Sequence, residues 1–317
     1  MTAPVMVHWD AVEARHVQVG PMSGSWADLG RAAGSVALGV KRLRIDAGMR
    51  STPVHVHDAE EEVFFVLGGE GVSWQDGRTA PVRAGHCLVH PAGGAAHTLI
   101  AGEAGLDVLA FGTRARPALD RLPRAGVAWL GGSWVATEPE PHPWGREAAA
   151  GELIGEPAAE ALPGMVALED VPEDEPGRAD MQFRRRLLTR GRAVLAGLQH
   201  VRLPAGMMGW PPHVHSADEE LFVVLEGAGS LLLYDAPRPE QPAEHRVSAG
   251  HVVARPAGSC VAHAFRAGEE GLAYLVYGER QGHDIVYYPR SRKIGFKGLG
   301  VLTRIEPCGY WDGEGED

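Results

Sequence analysis

The chain has 317 residues, a formal net charge of −11 and 44% hydrophobic residues. That acidic balance disfavours nucleic acid and anionic membrane surfaces as partners and points to small molecules, while the length suits two domains of ordinary size. Three widely spaced cysteines, Cys87, Cys260 and Cys308, contain no CxxC pair, which argues against a disulfide framework or a thiolate metal site.

The N-terminus has no basic start leading into an apolar run, and no stretch approaches membrane-spanning length, so a cytoplasmic monomer or homodimer is expected. Gly and Pro are plentiful, and short alternating apolar runs recur between turn residues, the pattern of an all-β chain. Val7, in VMVHWDAV, is echoed by Val166 in GMVALEDV. The strand-like run SVALGVKRLRI (35–45) then leads through Gly48 into PVHVHDAEEEVFFVLGGEG (53–71). Later, AVLAGLQHVRL (193–203) leads through Gly206 into PPHVHSADEELFVVLEGAG (211–229). His55, His57, Glu62 and Gly69 thus reappear as His213, His215, Glu220 and Gly227 at one constant offset, and about half of the positions between Gly39 and Gly69 are identical in the second copy. The chain reads as a duplication.

Alternation along a strand puts His55 and His57 on one face with Val56 on the other, and Glu62 and Phe64 on a common face of the next strand. Downstream, GHCLVHPAGGAAH ends at His97 and GHVVARPAGSCVAH ends at His263, each histidine following a Pro-x-Gly turn. Each half can therefore bring three imidazoles and one carboxylate to a point. We expect a first barrel over residues 1–130, a Pro/Glu/Ala-rich connector over 131–162 with a short helix around Arg146–Leu153, and a second barrel with a packed tail over 163–317. The acidic run Glu169–Glu175 and the basic run Arg184–Arg192 read as solvated faces, and the last acidic residues as a solvated end.

His₃Glu is a borderline donor set, suited to Fe(II), Mn(II), Ni(II), Co(II) or Zn(II) and poor for Ca(II) or Cu(I), and an octahedral ion held by it keeps two open positions. Such an order of residues, repeated twice, is not what packing alone requires. Isolated histidines such as His8, His16 and His245 carry no such expectation.

Both copies resemble the cupin superfamily, whose first motif is G-x5-H-x-H-x3,4-E-x6-G and whose second is G-x5-P-x-G-x2-H-x3-N. Gly48, His55, His57, Glu62 and Gly69 answer to the first, as do Gly206, His213, His215, Glu220 and Gly227, with a slightly longer lead from the first glycine. Gly85, Pro91, Gly93 and His97, and Gly250, Pro256, Gly258 and His263, answer to the second, with a longer loop before the histidine and no Asn at the expected place. The resemblance implies a bicupin of two double-stranded β-helix (jelly-roll) barrels, each with one divalent metal in its mouth held by His55, His57, Glu62 and His97 or by His213, His215, Glu220 and His263. It does not choose a reaction. Family oxalate decarboxylases and oxidases carry an arginine shortly before HxH, where this chain has Thr52 and Trp210.

By strand parity, Phe64 and Leu99 in the first half, and Trp210, Phe222 and Phe265 in the second, are candidates for a mostly apolar pocket suited to an aromatic or small organic acid. Lys41 could meet a substrate carboxylate, and Glu61 or Glu219 could move a proton. The leading expectation is an Fe(II)-dependent dioxygenase-type oxidoreductase. The alternatives are a redox-neutral isomerase or lyase using Mn, Ni or Zn, and a metal-bound sensor or binding protein without catalysis.

Overall fold

The computed structural model describes residues 6–115, 118–130, 132–136, 143–235, 241–306 and 308–314. It is an all-β chain with two large antiparallel assemblies, one per half, as the alternating patterns require. In the first, strands Glu62–Gln75 and His97–Thr113 pair along most of their length, with Leu38–Ile45 beside His97–Thr113 and His86–His90 beside Glu62–Gln75. Strands Glu220–Asp235, Val261–Glu279, Ala196–Leu203 and His251–Arg255 repeat this plan. The chain thus folds as two jelly-roll barrels.

Each long strand must bend to serve two faces of its barrel, and the motif glycine marks the bend. The ladder shifts register on either side of Gly69 and of Gly227. Gly69 has φ +79°, and a Cβ there would stand 2.3 Å from the Gly105 carbonyl oxygen; at Gly227 the values are +74° and 2.2 Å from Gly271. Only glycine supplies both the left-handed backbone and the close approach.

The two halves exchange their opening strands. Met6–His8, read with the first half, pairs with His251–Arg255 of the second, and Met165–Ala167 pairs with His86–His90 of the first. The equivalence of Val7 and Val166 survives, with Val7 opposite Val252 and Val166 opposite Cys87. A continuous apolar layer joins the barrels, with Leu38, Val63, Phe111 and Leu109 of the first packed with Leu198, Leu221, Leu275 and Tyr277 of the second. The cysteines are all free.

Two buried carboxylates close this interface. Glu61 is 2% exposed and accepts the backbone N–H groups of Val194 (2.6 Å), Leu195 (2.8 Å) and Ala196 (3.1 Å) from the other half. Glu219, 1% exposed, accepts those of Val36 (2.9 Å), Ala37 (2.7 Å) and Leu38 (2.7 Å), with the Ser35 hydroxyl at 3.2 Å. The expectation that Glu61 or Glu219 moves a proton at the site is therefore corrected. Alternation turns both carboxylates out of their barrels, where they saturate donors across the interface.

The connector helix spans Pro143–Ala149, earlier than expected, and fastens to the first barrel through Glu147. That carboxylate is fully buried and meets Arg50 Nη1 at 2.9 Å and Arg124 Nη1 at 3.0 Å. Further on, Glu156–Pro157 joins the first sheet beside Arg78–Arg83. Residues 131 and 137–142 of the expected connector, and the final residues 315–317, lie outside the described residues. The acidic and basic runs do more than face solvent: they form a ladder with Glu173–Arg186 and Asp174–Arg185 ion pairs of 3.2 and 2.8 Å. Among the described residues no helix is long and apolar enough to cross a membrane.

Glu219→Gln should lower unfolding free energy by about 2–4 kcal/mol, because a buried acceptor of several charge-assisted bonds loses its charge. Denaturant melts would measure this, and metal content should stay unchanged. A second expectation concerns His200, which faces Arg186 across the ladder. Burial, followed by the nearby Arg202 and Arg186 charges, lowers its pKa from 6.5 to about 4, so it stays neutral in the fold over a range where the unfolded chain takes up a proton. Stability is therefore lost as pH falls from about 6.5 to about 4, and His200→Gln should flatten the stability profile across that window.

Candidate metal centres

The first centre is assembled by backbone pairing. His55 N donates to the His97 carbonyl at 3.2 Å and His97 N to that of His55 at 3.0 Å, which sets the two imidazoles side by side. Val56, between His55 and His57, points into an apolar cluster with Val54, Trp74 and Ala96, and so turns both histidines the other way. Glu62 Oε2 then lies 3.3, 3.7 and 3.0 Å from the Nε2 atoms of His55, His57 and His97. In the second centre, the distances from Glu220 Oε2 to Nε2 of His213, His215 and His263 are 3.8, 3.5 and 3.1 Å. All eight expected ligand residues converge in two sets of four.

The Nδ1 atoms of His55, His57, His97, His213 and His215 face away from these points and donate to oxygens. His55 reaches the Pro53 carbonyl (2.9 Å), His97 that of Ala95 (2.9 Å), and His213 that of Pro211 (2.8 Å). His57 and His215 use side chains instead, Asp120 Oδ1 at 2.6 Å and Asp284 Oδ2 at 2.7 Å. With Nδ1 so bonded, the Nε2 atoms of His55, His57, His97, His213 and His215 face the shared points, where a bound metal would take up their lone pairs in place of a proton.

The residues fit a divalent ion. Glu220 Oε2 and His263 Nε2 are buried and form no well-angled hydrogen bond among the described residues. Donor separations of 3.0–3.8 Å span the edge of roughly 3 Å expected for ligands at about 2.1 Å. Burial alone would raise the Glu62 carboxyl, yet the three surrounding imidazoles hold it well below its ordinary range. Glu220 is lowered in the same way against burial. Burial drives His263 down to about 3. His57 is the opposite case: burial pulls it down, but Asp120 and Glu62 prevail and raise it to about 10.

Asp120 and Asp284 were not anticipated. Each lies in the strand or turn that follows its barrel, in the small sheets that bring Leu119–Leu122 beside Val56–His57 and Ile285–Tyr288 beside Val214–His215. The available signal was their similar distance beyond His97 and His263.

The pocket expectations divide between the halves. A cavity of about 430 Å³ opens over the second centre, and Trp210, Phe222 and Phe265 line it together with Gln199, Tyr274, Tyr288, Arg280 and Lys297. Over the first centre the space is about 190 Å³, lined by polar residues that include Lys41, Glu60 and Arg114. Lys41 is exposed on that rim. Phe64 and Leu99 are corrected to core residues: they are 2% and 1% exposed and fill the barrel interior with Leu43, Val66 and Leu88. Phe64 meets the His97 ring edge-on at 6.0 Å.

Two family models match the chain, one described as "Cupin domain" over residues 41–110 and one described as "Cupin" over residues 192–290. The chain belongs to the cupin superfamily, as a bicupin. No curated protein sequence matches it. Among solved structures, this bicupin is similar to the oxalate decarboxylase–formate complex of Lactobacillus farciminis, with 15% identity, a TM-score of 0.61, and coverage of 88% of this chain and 87% of that one. It is also similar to Bacillus subtilis oxalate decarboxylase at pH 4.6, with 15% identity, a TM-score of 0.59, and coverage of 88% and 77%. A further structure of that enzyme, whose description names its Mn(II) centres, shares 14% identity with a TM-score of 0.58 and coverage of 90% and 79%. At these identities the likeness is one of fold.

His213→Ala should remove metal from the second centre of this bicupin and leave the first loaded, and His55→Ala should do the reverse. Asp284→Asn should weaken metal binding in the second centre roughly 10- to 100-fold while leaving the ligands in place. Elemental analysis after dialysis against graded chelator checks all three variants.

Proposed function

We propose that this bicupin is a divalent-metal enzyme that converts a small organic carboxylic acid at the mouth of its second barrel, by redox-neutral lyase or isomerase chemistry. The observation that carries this reading is the second cavity, with His213, His215, Glu220 and His263 at its base, an aromatic wall, and the Arg280 guanidinium at its rim. Arg280 Nη1 donates to the Ala193 carbonyl at 2.9 Å, while its Nε and Nη2 donate to no described residue. Arg185 and Lys297, the other cations of the lining, are already paired with Asp174 and Asp218.

A divalent ion in this centre supplies Lewis acidity to a coordinated carboxylate or carbonyl oxygen. The chain's own residues do the rest. Arg280 holds a distal carboxylate by charge-assisted hydrogen bonds. Trp210, Phe222 and Phe265 exclude water from the reacting carbon. Proton carriers in the lining include Tyr288 Oη, whose pKa is raised by burial, and Lys297 Nζ, which donates to Asp218. The likeness to oxalate decarboxylases, including a formate complex and Mn(II) centres, supports the lyase reading. The Fe(II) dioxygenase reading keeps one specific support, the apolar wall beside a donor set that suits iron.

The test is metal analysis of protein purified without chelator, followed by a panel of mono- and dicarboxylic acids with and without oxygen. Turnover that persists anaerobically and is lost in His213→Ala is expected. Turnover only with oxygen uptake transfers the assignment to the dioxygenase, and binding without turnover leaves a metal-bound binding protein. For the active acid, Arg280→Met should raise KM about tenfold or more with kcat changed by no more than about threefold, because Arg280 binds the end of the substrate that does not react.

A further inference from the structure

Directly opposite the ligating glutamate, on the neighbouring strand, the two barrels carry different residues: Glu62 faces His90, whereas Glu220 faces Arg255. Residues opposed in this way share a face of the sheet with Cβ atoms about 5 Å apart, so each lies beside its donor cluster. His90 is 4% exposed and stacks on the His97 ring, with centroids 3.6 Å apart and planes 4° from parallel. Arg255 is 7% exposed. Its Nη2 donates to the Val261 carbonyl at 2.7 Å and lies 3.4 Å from Ser259 Oγ, while its buried Nε has no partner among the described residues. No described carboxylate lies within ion-pair distance of it, which leaves Glu220, itself part of the donor set, to compensate a buried guanidinium.

We infer that the two centres are electrostatically inequivalent, with the first retaining a divalent ion tightly and the second, carrying the fixed charge of Arg255, holding it weakly until an anionic ligand joins it. The inference rests on the metal-dependent reading above. With an ion bound, each centre holds a dication, one glutamate and one aspartate behind a histidine, Asp120 or Asp284, and the second adds the positive charge of Arg255, because an arginine does not shed its proton. Repulsion between a buried guanidinium and a dication weakens the metal, and a bound carboxylate relieves it. By linkage, an anion that tightens the metal is itself bound more tightly by the metal-loaded centre. The space for that anion is in the right barrel, about 430 Å³ over the second centre against about 190 Å³ over the first.

The experiment is a titration of the full chain, stripped of metal, with Mn²⁺, following free Mn²⁺ by electron paramagnetic resonance with and without benzoate as the anionic probe. Two steps at least about tenfold apart are expected, the tight one lost in His55→Ala and the weak one lost in His213→Ala. Benzoate should tighten only the weak step. Arg255→Gln should tighten that step about tenfold or more and abolish most of the benzoate effect, and Arg255→Met, equally uncharged but without hydrogen-bonding groups, should do the same and so separates charge from hydrogen bonding. His90→Arg should weaken the first step. Two equal sites in the parent, a weak step assigned to the first barrel, or a weak step unmoved by Arg255→Gln would overturn the inference while leaving metal dependence intact. Absence of any Mn²⁺ binding would overturn both.

Discussion

The structure depends on two buried glutamates, each of which carries its charge into the other barrel. A carboxylate taken out of water is costly unless several donors receive it, and Glu61 and Glu219 each find a row of backbone N–H groups at the start of a strand in the opposite half. Their sequence neighbours are Glu62 and Glu220 of the two donor clusters. Because a strand alternates its faces, one carboxylate of each Glu-Glu pair must face outward if the other faces the donor cluster. Docking of the barrels and placement of the ligating carboxylate are thus two consequences of one geometry, and the clasp anchors the strand at the residue where precision matters.

Around this frame the donor clusters are held on every side. The carbonyls of Pro53, Ala95 and Pro211 take the Nδ1 protons of His55, His97 and His213, and Asp120 and Asp284 take those of His57 and His215. These partners come from the same short bridges and post-barrel strands that close the mouths. Any change in the mouth sheets therefore reaches the metal centre through a single hydrogen bond, and the sheet over the second centre also brings Tyr288 and Lys297 to the cavity.

Duplication supplied two equivalent frames, and divergence acted inside them. The second cavity is the larger, with an aromatic wall and a rim guanidinium, while the first is smaller and more polar. The substitution of Arg255 for His90 lies in the layer immediately around the ligands, where one charge changes what a centre retains. The exchange of Met6–His8 and Met165–Ala167 ties the halves so that neither sheet is complete without a strand from the other.

Much of this was legible in the sequence. The paired HxH runs, the glutamates at fixed spacing from Gly69 and Gly227, and the histidines after Pro-x-Gly turns determine an all-β duplication with two His₃Glu clusters, because alternation and turn chemistry act locally and repeat exactly when the sequence does. What lay beyond reach were relations between distant segments. That Glu61 is structural rather than catalytic depends on Val194–Ala196 lying across an interface, and that Phe64 and Leu99 fill a core while Phe222 and Phe265 line a cavity depends on how far each barrel is filled. Asp120 and Asp284 became partners of His57 and His215 only when later strands folded back over the mouths. Local pattern determines which face a side chain takes, and only the packed chain decides what that face meets.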